Sequence, residues 1–213
     1  SAKDAVYTGL PYSESNLTCS GTSAPTYCYY ADNNGTQSNQ LDGAPINAGT
    51  YWVEAYAPET SSTASATSQA VRFHIEKAPL CIRAKDKTIT YGETLSDNGA
   101  EINGFVNNEN ETVLSGLNYA FGYAQFSDIG TYTIIPMDAQ AENYKITYEN
   151  GVLTVQPKPV EIKWNSESIF YYDSTLKSVT AEAIGAVNGD ALTVIIEDGS
   201  RTEIGSYTAR AVA

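Results

Sequence analysis

Histidine is nearly absent from this chain: His74 is the single one among 213 residues. Catalytic pairs and zinc sites that need several imidazoles are excluded by that count. His74 sits in an alternating pattern and reads as a strand-face residue. Cysteine is scarce too, at three. Cys19 and Cys28 flank Gly21-Thr22-Ser23-Ala24-Pro25, which reads as a hairpin turn. A turn centred between Ser23 and Ala24 sets the two cysteines opposite each other, where a cross-strand disulfide is sterically feasible. Two reduced thiols on adjacent strands are the alternative, and Cys81 reads as a free strand thiol. No apolar run approaches the roughly 20 residues of a membrane-spanning helix, so no membrane insertion is expected. Basic residues are few: 12 Lys and Arg against 25 Asp and Glu, a net charge of −13. A field of that sign repels nucleic acid and anionic membranes. The phosphate loop, the dinucleotide fingerprint and the G-x-S-x-G elbow are all missing. Carboxylates are plentiful, but their spacing singles out no acid–base pair. Asp32-Asn33-Asn34-Gly35-Thr36 is oxygen-rich, lacks the distal Glu of an EF-hand loop, and reads as an Asn-Gly turn. The expectation is a protein without catalysis, cofactor or metal.

What the chain does have is one phrase written three times. It runs Asn47-Ala48-Gly49-Thr50-Tyr51, then Asp128-Ile129-Gly130-Thr131-Tyr132, then Glu203-Ile204-Gly205-Ser206-Tyr207. Copies at domain-sized intervals are the signature of tandem repeats. Glycine permits a tight corner, and the acidic or amide residue can bond its own backbone nearby. The Tyr ring packs inward while its hydroxyl reaches a backbone group, an arrangement similar to the tyrosine corner of immunoglobulin-type sandwiches. Gly49, Tyr51, Gly130, Tyr132, Gly205 and Tyr207 are the candidate structural corners. Sixteen tyrosines and frequent Thr, Ser, Asn and Gly complete the profile of a secreted all-β protein.

The repeats divide the chain at 1–77, 78–156 and 157–213. At the first junction Ile75, Pro79, Leu80 and Ile82 are spaced as Val155, Pro159, Val160 and Ile162 are at the second. Junctions this short, stiffened by proline, leave neighbours little freedom, and an elongated array is expected. Tyr7-Thr8-Gly9, Tyr91-Gly92-Glu93 and Tyr172-Asp173-Ser174 mark one shared landmark. Gly104-Phe105-Val106-Asn107-Asn108-Glu109 and Gly185-Ala186-Val187-Asn188-Gly189-Asp190 mark another. The first repeat reads as lacking its first strand and the third as truncated before its last, so the chain reads as a piece of a longer array. A missing strand exposes a sheet edge that can pair with another chain. Tyr144 to Val155 reads as a hairpin around Asn150-Gly151. Asn107–Thr112 reads as one helical turn, which leaves a small α+β middle repeat as the alternative fold. After the first corner, Trp52, Glu54 and Tyr56 alternate against Tyr51, Val53 and Ala55, so that face is partly aromatic. Trp52, Tyr56 and Trp164 are the candidate ligand surface, since aromatic faces suit sugar rings or a partner's apolar patch.

Tyr91-Gly92-Glu93, Val106-Asn107, Asp128-Ile129-Gly130-Thr131-Tyr132, Asn143-Tyr144-Lys145-Ile146 and Gly151-Val152-Leu153-Thr154-Val155 together resemble the MBG repeat of the YGX type. The flanking repeats resemble related bacterial Ig-like repeats. The resemblance implies three tandem β-sandwich, Ig-like domains, extracellular and associated with a bacterial cell surface or wall. It implies a non-catalytic stalk, or a module that presents an adhesive region. The alternative is a glycan- or mucin-binding module, with host glycans, mucin or a matrix protein as partner.

Overall fold

The structure, a computed structural model, describes residues 2–13, 25–96, 99–165 and 169–213. It is nearly all β, with a single short helical turn among the described residues. Residues 1–77, the stretch read from the sequence as the first repeat, supply β1 (Ala5–Val6), β2 (Thr26–Asn33), β3 (Thr36–Gln40), β4 (Gly49–Ala57), β5 (Ala66–Thr67) and β6 (Val71–Glu76). They form one six-stranded sheet in the order β1-β6-β4-β2-β3, with β5 on β4. Alternation sets its faces: Tyr29, Val53, Phe73 and Ile75 point inward and are buried, while Tyr30, Trp52 and Arg72 share the outer face. Asn34 and Gly35, at φ 50° and 87°, make the two-residue turn between β2 and β3 that an Asn-Gly pair favours.

The second repeat supplies β7 (Ala78–Ala84), β8 (Lys87–Thr90), β9 (Ala100–Asn103), β10 (Asn118–Phe121), β11 (Gly130–Met137), β12 (Tyr144–Glu149) and β13 (Gly151–Gln156). The acidic stretch after Asn107 yields only a 3₁₀ turn, Glu111–Val113, capped by the Asn110 side chain on the Thr112 N–H. Strands β12-β7-β9 form one sheet and β10-β11-β13-β8 another.

The hairpin expected between Tyr144 and Val155 is not formed. β12 pairs parallel with β7, and β13 pairs parallel with β8. Two neighbouring segments thus turn together from one sheet into the other, and Asn150-Gly151 is that crossing. A Cβ on Gly151 would lie 2.6 Å from the Ala84 carbonyl oxygen and 2.8 Å from that of Lys85. The glycine is there for close backbone approach, not for a hairpin turn. Beyond it the Val152 N–H donates to Asp86 Oδ1 at 2.8 Å.

The third repeat supplies β14 (Glu161–Trp164), β15 (Lys177–Ser178), β16 (Ala181–Ile184), β17 (Ile195–Glu197), β18 (Ser200–Arg201) and β19 (Arg210–Val212). They pair only two by two: β14 with β16, β15 with β18 and β17 with β19.

The chain divides into two compact units that cut across the repeats. The first comprises Ser1–Lys85, Asn98–Ala120 and Ile134–Gly151, and the second Asp86–Asp97, Phe121–Thr133 and Val152–Ala213. The core of the first unit runs through the first junction. Tyr7, Tyr29, Val53, Phe73 and Ile75 cluster with Ala78, Leu80 and Tyr144 of the second repeat. Tyr12 stacks on Phe73 at 4.2 Å, and Tyr7 meets Tyr144 edge-on at 5.6 Å. Only Lys77 separates β6 from β7, so these repeats share one core. Each fully buried large side chain there contributes about 1.5–3 kcal/mol. In the second unit Ile89, Tyr123, Leu153 and Val155 are buried, all from the second repeat. No described residue from 157 onward is buried.

Candidate functional site

The outer face of the first sheet carries a bonded set of polar and aromatic side chains. Register places Tyr30 opposite Trp52, and Trp52 opposite Arg72, in a row across β2, β4 and β6. Asp32 is the hub. It accepts from the Trp52 indole N–H at 2.8 Å, from Arg72 Nε at 3.0 Å and Nη2 at 3.1 Å, and from the Gly35 N–H at 3.1 Å. Burial pushes the Asp32 carboxyl up, but the Gly35, Trp52 and Arg72 bonds outweigh it and hold the group below its usual value. Beside it Glu54 accepts from the Tyr30 hydroxyl at 3.2 Å and from Gln37 Nε2 at 3.3 Å. Burial, then that bond, raises Tyr30. The polar atoms that would orient a sugar are thus already joined across four strands. Trp52 is half-buried, while Tyr56 is 40% exposed and sits opposite Thr26 and Thr67. Trp164, 42% exposed, lies at the end of β14 opposite Ala181. Trp52 and Tyr56 share the face of one strand; Trp164 belongs to the other unit.

Each corner is closed by its own tyrosine. Tyr51 Oη donates to the Asn47 carbonyl at 3.0 Å and Tyr132 Oη to that of Asp128 at 2.6 Å. Tyr207 Oη reaches the Ile204 carbonyl at 3.5 Å. The ring lies over the glycine. A Cβ would meet the tyrosine oxygen at 3.1 Å on Gly49 and 2.9 Å on Gly205. Gly130 is instead required by its φ of 147°. Tyr51 packs near Phe73 at 5.8 Å and Tyr132 on Tyr123 at 5.4 Å. Cys28 is half-buried on β2 and Cys81 on β7. Cys19 lies outside the described residues, and the Cys19–Cys28 pairing with it.

The first junction holds a cluster that sequence reading did not single out. Glu109 accepts the hydroxyl of Tyr7 at 2.5 Å and also that of Tyr144. The Glu109 bond, then burial, pushes Tyr7 up to about 12; burial, then Glu109, raises Tyr144. Asn107 Nδ2 donates to the Gly9 carbonyl at 2.9 Å. Asn143 binds the first corner, accepting from the Ala48 N–H at 2.9 Å and donating to Asn47 Oδ1 at 3.1 Å. The second junction repeats the theme. Tyr91 is raised by burial and then by a hydrogen bond with Asp190, with Asn188 alongside. A shallow cleft of about 380 Å³ there is lined by Tyr91, Asp128, Ile129, Lys158, Val187 and Asp190. Both tyrosines anchor their backbone on the last strand of their own repeat: Tyr7 N–H on the Glu76 carbonyl and Tyr91 N–H on that of Gln156, each at 2.8 Å. The signal for this lay in the sequence, since Glu109 and Asp190 end the two matching Gly-x-Val-Asn stretches.

Residues 80–154 match the family model of the MBG domain (YGX type). That stretch, the MBG segment, contains the second landmark tyrosine, the second corner and Glu109. MBG domains are not a known enzyme family. No curated protein matches the chain. Among the described residues no group of three or more His, Cys, Asp or Glu could hold a metal ion, and no helix is long and apolar enough to cross a membrane.

Proposed function

We propose that the chain is a non-catalytic structural repeat module of a bacterial surface or secreted protein, extracellular and associated with the cell surface or wall. It acts as a stalk or presents an adhesive region carried elsewhere. The MBG segment supports a repeat module of a surface-type protein. The observation that carries the structural role is where the polar side chains go. Asp32, Arg72, Trp52 and Glu54 tie strands to one another, and Glu109, Asn107 and Asn143 tie one repeat to the next. Polar networks that are fully satisfied rigidify and specify one arrangement.

The alternative, a glycan- or mucin-binding module, rests on the exposed rings of Tyr56 and Trp164. An array of glycans, mucins and matrix proteins probed with the labelled chain separates the two. The structural reading expects no saturable signal and an unchanged profile for Trp52→Ala. Saturable sugar binding lost in Trp52→Ala or Trp164→Ala would overturn it in favour of the alternative. Turnover on a panel of hydrolase substrates would overturn both.

A further inference from the structure

The two internal junctions are built from the same parts. Val106-Asn107-Asn108-Glu109 is a tight turn with φ 49° and 61° at its central asparagines, closed by the Glu109 N–H on the Val106 carbonyl at 2.9 Å. Val187-Asn188-Gly189-Asp190 is the same turn, with φ 57° and 75° and the Asp190 N–H on the Val187 carbonyl at 3.0 Å. Positive φ at both central positions is the type I′ geometry, which suits Asn and Gly. Each turn faces the landmark of the preceding repeat. Glu109 takes the Tyr7 hydroxyl and Asn107 the Gly9 carbonyl. Asp190 lines the same cleft as Tyr91 and, after burial, raises its hydroxyl, while Val187 packs where a Cβ on Gly92 would come within 3.1 Å. The corner phrase borders both junctions, through Asn47 at the first and Asp128-Ile129 at the second.

The third repeat carries the same two landmarks side by side. Tyr172, Glu203-Ile204-Gly205 and Tyr207 line a cleft of about 390 Å³. Tyr172 is 61% and Ile204 79% exposed. Ser174 stands at φ 64° two residues after the tyrosine, as Gly9 does at 72° after Tyr7. Lys177 and Arg201 also line the cleft, and Asp173 is held by Lys177 at 2.6 Å and by Thr175. Asp198 and Glu203 line it too, and Arg201 is paired with Asp198 at 2.8 Å, so it is the Tyr172 hydroxyl and not an excess of positive charge that would meet an incoming carboxylate.

We propose that this cleft is a docking surface for a tight Gly-x-Val-Asn-x-acid turn of another repeat of this kind. The turn's carboxylate accepts the Tyr172 hydroxyl, and its asparagine side chain donates to the backbone carbonyl of Ser174. The Tyr landmark and the corner phrase are then two halves of one repeat-to-repeat contact. Both turns of this kind in the chain are already seated, so a second copy of the folded chain is not the occupant.

The proposal rests on the repeat-module reading but fails separately from it, because the readout is local to Tyr172. The full chain, labelled for NMR, is titrated with a cyclised hairpin peptide carrying Gly-Ala-Val-Asn-Gly-Asp, the sequence of residues 185–190. The expected result is saturable shifts at Tyr172, Ser174 and 204–207. The shifts should require about tenfold more peptide with Tyr172→Phe, the loss of one hydrogen bond to a charged group. A peptide with the Asp190→Ala exchange should weaken binding at least as much, and the bare buffer titration controls for drift. No saturable shift at millimolar peptide overturns the proposal. So do equal shifts with the exchanged peptide, or the same affinity for the Tyr172→Phe chain.

Discussion

The first and third repeats carry the same corner phrase and the same Tyr landmark, yet one has a core and the other does not. In the first, Phe73 is fully buried and Tyr7 nearly so. In the third, Tyr171 is 92% and Ile169 79% exposed. The corner itself forms in both, because Tyr51 and Tyr207 reach back only three or four residues. Burial follows a different feature. In the first two repeats the landmark strand lies parallel to a long strand rich in alternating apolar residues, β1 on β6 and β8 on β13. No such partner lies beside Tyr172 among the described residues. Corner geometry is thus local, whereas the core depends on strand closure.

The sharpest way to break this contrast is truncation in each region. Phe73→Ala removes a fully buried ring and should cost about 3–5 kcal/mol in denaturant unfolding. Ile204→Ala, on an exposed corner, should fall within about 0.5 kcal/mol of the parent. Comparable losses would mean that the third repeat is as well packed as the first.

Next in size is Gly151→Ala. The added methyl meets two backbone carbonyls that cannot rotate away, and overpacking of this kind costs about 1–3 kcal/mol. An unchanged unfolding midpoint would argue that β12 and β13 join through an ordinary hairpin after all.

The alkaline limb sharpens the junction. Tyr7 is raised from 10.0 to about 12. Its folded state therefore holds the proton that the unfolded chain gives up near 10. The stabilisation is complete below pH 10, falls as pH rises, and is gone above about 12. The gap in stability between the parent and Tyr7→Phe should narrow across that window, as followed by unfolding at stepped pH. A gap that stays constant would contradict the Glu109 bond.

The smallest effect is expected at the outer face. Arg72 is 43% exposed at its side chain, and removing an exposed partner of this kind costs about 0–1 kcal/mol. Arg72→Ala, measured by thermal unfolding, should barely move the midpoint.

What was legible in the sequence follows the same division between local and distant. The corners could be read because donor and acceptor lie within one phrase. The β2–β3 turn could be read because Asn34-Gly35 sets its own dihedrals. Asn150-Gly151 carries the same local signal and misleads, because Gly151 answers to backbone at Ala84 and Lys85, far away in sequence. The Asp32 hub was missed for that reason as well: Arg72 reaches it only through the register of three strands. Glu109 stood inside an acidic stretch that reads as one helical turn, and its partner Tyr7 lies 102 residues away. The acidic endings of the two Gly-x-Val-Asn stretches, Glu109 and Asp190, were visible, but no pattern along the chain says that they face a tyrosine.

Through Glu109, the landmark Tyr7 joins residues 1–77 to the MBG segment. A double-mutant cycle on Tyr7→Phe and Glu109→Gln, followed by denaturant unfolding of the full chain, tests it most directly. The two losses should not be additive, with a coupling of about 0.5–3 kcal/mol between them, as for residues in one hydrogen-bond network. Additive losses would show that Tyr7 and Glu109 act independently and that the junction is held by packing and the Asn107 and Asn143 bonds without them.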